Sequence, residues 1–69
     1  MENKFCEIFK SLRLEKGIGQ EQLAKELSVS KGIISLWENG LREPTMNSLI
    51  LIANYFGVTL DFLVGRADV

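Results

Sequence analysis

Between Gln20 and Asn39, two short apolar-periodic segments follow one another with only Ser28-Val29-Ser30 between them. Leu23, Ala24 and Leu27 repeat at three-to-four spacing before the gap, and Ile34 and Trp37 do so after it. That periodicity is helical, and so short a connector makes a tight corner between two helices. Ala24 is small, so the second of these helices can cross the first closely. Ser30 is placed to cap the second helix. Gly40 ends it, and Leu41–Pro44 makes a loop. The result is a short rigid helix with one face against a core and the other facing outward.

The remaining chain repeats this punctuation. A first helix is expected from Glu2 or Asn3 to Lys16, with Phe5, Ile8, Phe9 and Leu12 as its apolar stripe and Lys4, Lys10, Arg13 and Lys16 on other faces. Gly17 suits a left-handed cap, followed by Ile18. The second helix spans Gln20–Leu27, with Gly19 at its N-cap, and the third spans Lys31–Asn39. Thr45 caps a fourth helix, Met46–Phe56, whose Leu49, Ile52, Ala53 and Phe56 form the cleanest amphipathic pattern in the chain. Gly57 ends it. Thr59 caps a short fifth helix, Leu60–Val64, stopped by Gly65, and the tail from Arg66 to Val69 is expected to fray. The fold class is therefore all-α, five helices in a single domain over residues 1–69.

Sixty-nine residues with 46% hydrophobic content suffice for one core and argue against disorder. A chain this size buries only about 60% of the surface it exposes when unfolded, so it needs efficient packing or a partner. The longest apolar run is Leu49–Ala53, far short of the roughly 20 residues that cross a membrane. MENKFCEIF lacks the layout of a signal peptide, and the single cysteine makes no internal disulfide. Both fit a reducing, cytoplasmic setting. There is no histidine, so no metal site is expected, and no cofactor. The carboxylates have no cleft or basic partner by spacing, so no enzyme is expected.

Several of these residues, in order and at their spacings, carry a family likeness. They are Gln20…Leu23-Ala24, Val29-Ser30, Ile34, Glu38-Asn39-Gly40, Pro44, and then Leu49…Ile52-Ala53…Phe56-Gly57-Val58…Asp61…Leu63. The chain resembles the lambda-repressor/Cro-type (XRE-like) helix-turn-helix regulators over Phe5–Gly65. The resemblance implies sequence-specific binding of double-stranded DNA, with the third helix in a major groove. One departure is Ser28, where the family usually has glycine at a position that tends to need positive φ. Serine there is expected either to cost up to about 1 kcal/mol or to alter the turn slightly.

Helical geometry sorts the third helix. At about 100° per residue, Ser30, Ile34 and Trp37 cluster and point into the core with Val29. Gly32, Ser35 and Leu36 lie opposite, with Lys31 at the edge. The resemblance implies base contacts at Ser30, Lys31, Gly32 and Leu36, and Ser35 shares that face. It implies phosphate contacts at Gln20, which also braces the third helix, and at Asn39 and Arg42. It implies a partly buried structural ion pair between Arg13 and Glu38. Lys31 can donate to guanine O6 or N7, Leu36 can touch a thymine methyl, and Gly32 offers only close approach. No Arg, Gln or Asn stands at the centre of the face. Modest direct readout is expected, with more weight on phosphate positioning and DNA shape.

The charge fits less well. The net charge is −1 and the isoelectric point 5.3, whereas nucleic-acid-binding domains usually lie above about 9. This predicts weak non-specific affinity. It also keeps open a second reading, a protein-interaction module on the same fold, such as an antitoxin or regulator subunit. Val58, Leu60, Phe62 and Val64 are more apolar than so short an element needs. They form the expected homodimer surface, and a dimer would bind palindromic half-sites about one helical turn apart.

Overall fold

In the computed structural model, residues 3–66 are described and form five helices: α1 Phe5–Lys16, α2 Gln20–Leu27, α3 Lys31–Glu38, α4 Met46–Phe56 and α5 Leu60–Leu63. Three of them start on a hydroxyl cap. The side chains of Ser30, Thr45 and Thr59 accept from the N–H groups of Ile33, Ser48 and Phe62 at 3.1, 3.1 and 3.0 Å. Each satisfies a donor that has no partner inside its own helix.

Three boundaries differ from the sequence reading. Glu2 lies outside the described residues, and Asn3 and Lys4 precede α1 rather than belonging to it. The Asn3 carboxamide oxygen accepts from the Phe5 N–H at 2.9 Å, and such a local bond competes with helix at that residue. Asn39 and Val64 are C-caps with near-zero ψ instead of last helical residues. At the C-terminal end, the Arg66 N–H still donates to the Asp61 carbonyl at 2.7 Å, while 67–69 lie outside the described residues.

Phe9 is the hub of the core. It stacks on Phe5 with ring centroids 5.2 Å apart and meets Trp37 and Phe56 edge-on at 5.7 and 6.3 Å. Leu23, Leu27, Ile34, Ile52 and Leu63 close around it, fully buried. Burial on α1 follows Phe5, Phe9 and Arg13, one helical turn apart, with Ile8 and Leu12 only partly covered. Arg13 therefore continues the inner line of α1 although it stands off the apolar stripe of the sequence, as its expected ion pair with Glu38 requires. On α4 the buried pair is Ile52 and Ala53, while Met46, Ile50 and Leu51 are exposed. The amphipathic pattern of α4 is thus less clean than its spacing predicts, because apolar residues also occupy its outer face.

The turn between α2 and α3 depends on a strained residue. Ser28 adopts φ 59°, the only positive φ among the described non-glycine residues. Its N–H and that of Val29 bond back to the Lys25 and Ala24 carbonyls at 3.2 and 2.9 Å. The left-handed cap that glycine would make freely is made here by serine, at the expense of backbone strain.

Candidate nucleic-acid interface

Two arrangements define the site: what holds α3 from behind, and what it offers in front. Behind it, Arg13 of α1 grips Glu38 at the end of α3 with two bonds. Nε donates to Oε2 at 2.6 Å and Nη2 to Oε1 at 3.1 Å. The third arm, Nη1, donates to the Ile18 carbonyl at 2.9 Å. Gln20, the first residue of α2, adds its Nε2 to Glu38 Oε1 at 3.1 Å. Arg13 and Glu38 are 8% and 9% exposed, so both charges are removed from water and each depends on the other. The hydrogen bond to Glu38 raises the Arg13 pKa, against the opposing effect of burial. One four-residue network thus joins α1, the α1–α2 loop, the start of α2 and the end of α3.

In front, Lys31 and Gly32 are exposed, and Ser35 and Leu36 are partly exposed. A Cβ built on Gly32 would meet only Ser30 Oγ, at 3.8 Å, outside its own helix. The fold therefore does not require glycine at this position, and the face is open there. Ser30 is exposed, which corrects the inward placement from helical geometry. As an N-cap with extended backbone (φ −80°, ψ 154°), it does not obey the helical step, and its hydroxyl turns to the Ile33 N–H. Ile34 and Trp37 do point inward.

Of the residues assigned to phosphate by resemblance, Gln20 is committed to Glu38, and Arg42 is exposed in the loop after α3. Asn39 is exposed, but its Nδ2 donates back to the Ser35 carbonyl at 2.9 Å and to Ser35 Oγ at 3.2 Å. The i, i+4 spacing of Ser35 and Asn39 was the available sequence signal for that link.

A second polar contact joins α2 to α4 and was not legible in the sequence. The Tyr55 hydroxyl donates to Glu26, which also accepts from Gln22 Nε2 at 2.5 Å. Lys16 Nζ lies 5.1 Å from the centroid of the Tyr55 ring, so this lysine is turned to α4. The hydrogen bonds from Gln22 and Tyr55 lower the Glu26 pKa. Burial, reinforced by Glu26, pushes Tyr55 up to about 12.

At the far end, Leu60 is exposed, while Val58, Phe62 and Val64 are half-buried. Phe62 lines a shallow groove with Ile8 and Leu12 of α1. Among the described residues, Leu41 and Met46 are the most exposed large apolar side chains, at 74% and 66%. Among the described residues, no helix is long and apolar enough to cross a membrane, and no cluster of His, Cys, Asp or Glu could hold a metal ion.

Comparisons with known proteins agree with this fold. A helix-turn-helix family model matches residues 9–63. The HTH-type transcriptional activator BcrR of Enterococcus faecalis is 46% identical over 65 residues, 94% of this chain and 32% of that protein. The cryptic phage CTXphi transcriptional repressor RstR of Vibrio cholerae is 27% identical over 64 residues, 93% of this chain and 58% of that one. The chain thus spans about a third of the first relative and over half of the second. The crystal structure of a transcriptional regulator from Listeria innocua superposes with a TM-score of 0.88 at 30% identity, covering 97% of this chain and 63% of that one. With the family match running from the core of α1 to the buried Leu63 of α5, the chain belongs to the XRE-like helix-turn-helix family.

Proposed function

We propose that this chain regulates transcription by binding double-stranded DNA, laying α3 in a major groove as a homodimer and acting as a repressor. The observation that carries the reading is the pairing of a braced rear with an open front on one helix. Arg13, Gln20 and Glu38 fix the angle of α3, while Lys31 and Gly32 are exposed and Ser35 and Leu36 partly so. Lys31 is the base-reading cation and Arg42 the principal phosphate cation. Gln20 contributes its second amide hydrogen to phosphate. Repression follows from occupying a promoter-proximal site. One relative is named an activator and another a repressor, so the position of the operator sets the sign.

The dimer uses Val58, Leu60 and Phe62 at the α4–α5 end, and its two-fold symmetry calls for a palindromic operator. With Arg42 on each copy, two phosphate cations act together. Log affinity should then fall against log salt with a slope of about −2. Electrophoretic or fluorescence binding to duplex DNA at several salt concentrations checks this. The second reading, a protein-interaction module, is favoured by the 74% exposure of Leu41 and the 66% exposure of Met46 and by the acidic isoelectric point of 5.3. Binding to duplex DNA that is absent even at low salt would support it over the first.

A further inference from the structure

The hydrogen bonds at the end of α3 give one polar group a fixed polarity. The Ser35 carbonyl can only accept, so the amide nitrogen of Asn39 must face it, at 2.9 Å, and the same nitrogen reaches Ser35 Oγ at 3.2 Å. Asn39 thus turns its amide nitrogen onto Ser35, whose hydroxyl oxygen becomes an acceptor within the protein and keeps its own hydrogen for an outside group. On the helical wheel Ser35 and Leu36 flank Gly32, one on either side and one turn on. Nothing but Ser30 Oγ lies near the missing Cβ of Gly32, so the space between them is open. A hydroxyl donor beside an apolar side chain has a specific counterpart in the major groove. Thymine presents the O4 acceptor next to its C5 methyl, whereas cytosine presents an amino donor and no methyl.

We propose that Ser35 and Leu36, across the opening at Gly32, form a thymine-reading site for duplex DNA, with Asn39 as the positioning residue that fixes Ser35 as donor. This rests on the DNA-binding reading above. It also turns Asn39 away from the phosphate contact that the family resemblance implies, because its amide nitrogen is engaged on Ser35.

The test starts from a duplex selected by the wild-type protein out of random sequence. Binding is compared with the same duplex carrying uracil at every thymine, at fixed salt, with each variant first shown to be folded by circular dichroism. Wild-type protein should lose about fourfold for each contacted methyl, the worth of one buried methylene. Leu36→Ala should bind both duplexes equally. Asn39→Ala should keep the wild-type salt dependence, broaden the base chosen at that position, and add nothing in a Ser35→Ala background. Equal wild-type binding to the thymine and uracil duplexes overturns the proposal. So does an Asn39→Ala protein that binds every duplex more weakly by the same factor, with unchanged base preference. A wild-type protein that selects no duplex at low salt overturns the DNA-binding reading itself, a distinct failure.

Discussion

The two ends of this molecule are held together by different forces. Where α1, α2 and α3 meet, a bidentate ion pair, a carbonyl and a glutamine amide make directional contacts. Where α4 and α5 pack, the contacts are mainly apolar, and Ile50, Leu51 and Leu60 remain in solvent at 42%, 45% and 39% exposure. Directional bonds fix an angle, which a groove-reading helix needs. Non-directional apolar surface supplies area, which an association surface needs. On the function proposed above, this difference is a division of labour, with orientation set at one end and assembly at the other.

The largest expected effect is on the directional end. Arg13→Ala leaves the Glu38 carboxylate buried with only Gln20, and should cost about 3–5 kcal/mol in chemical denaturation. Arg13→Met with Glu38→Leu should recover most of that stability, because well-packed apolar pairs replace buried ion pairs at little cost. If orientation is the purpose of the network, the recovered double variant should still bind DNA less tightly than wild type. Equal affinity would reduce the ion pair to a stability element.

The apolar end should respond in assembly more than in folding. Leu60→Glu should convert a micromolar dimer to a monomer in analytical sedimentation. The folding stability of the isolated subunit should change by less than about 0.5 kcal/mol, as for other surface positions. A wild-type protein that sediments as a monomer, with or without operator DNA, would remove the assembly half of the comparison.

Smaller effects sharpen the contrast. Gly32→Ala should raise stability by about 0.5–1 kcal/mol, since alanine is the better helix former and meets no obstruction. It should nevertheless weaken DNA binding, because the close approach is filled. Opposite signs from one methyl group would mark Gly32 as selected for contact rather than for folding.

The smallest effect concerns the link between the two ends. The folded state raises the pKa of Tyr55 to about 12, from an unfolded value near 10. Its contribution is fully present below the unfolded pKa and is lost as pH rises from there through the folded value. The Glu26 shift is downward, so its contribution is present above the ordinary carboxylate range and fades as pH falls. The chain has a single tyrosine, so an ultraviolet titration reads it directly. The midpoint should move part of the way back in Glu26→Gln, because burial is the larger cause.

Local structure was legible in the sequence where one residue decides it. Ser30, Thr45 and Thr59 at three caps, and Gly17 and Gly57 at two helix ends, act within a few positions of themselves. The Arg13–Glu38 pair spans 25 residues and came only from the family likeness, since no local pattern joins them. Tyr55 and Glu26 are 29 apart and depend on the packing of α4 against α2, for which spacing gives no rule. Ser30 was misplaced because a wheel assumes helical backbone at a residue that caps the helix from outside. The outward face of α3 was legible by type but not by polarity, because the Asn39–Ser35 bonds decide which atoms remain free.

The central claim is that α3 is a braced probe for the DNA major groove. Selection of bound sequences from random duplex DNA, at one stated salt concentration, with wild-type and Lys31→Ala proteins side by side, tests it most directly. The account predicts that wild type enriches paired half-sites about 10 base pairs apart, with a guanine preference that Lys31→Ala loses. No enrichment by wild type, or an unchanged preference in Lys31→Ala, would contradict it.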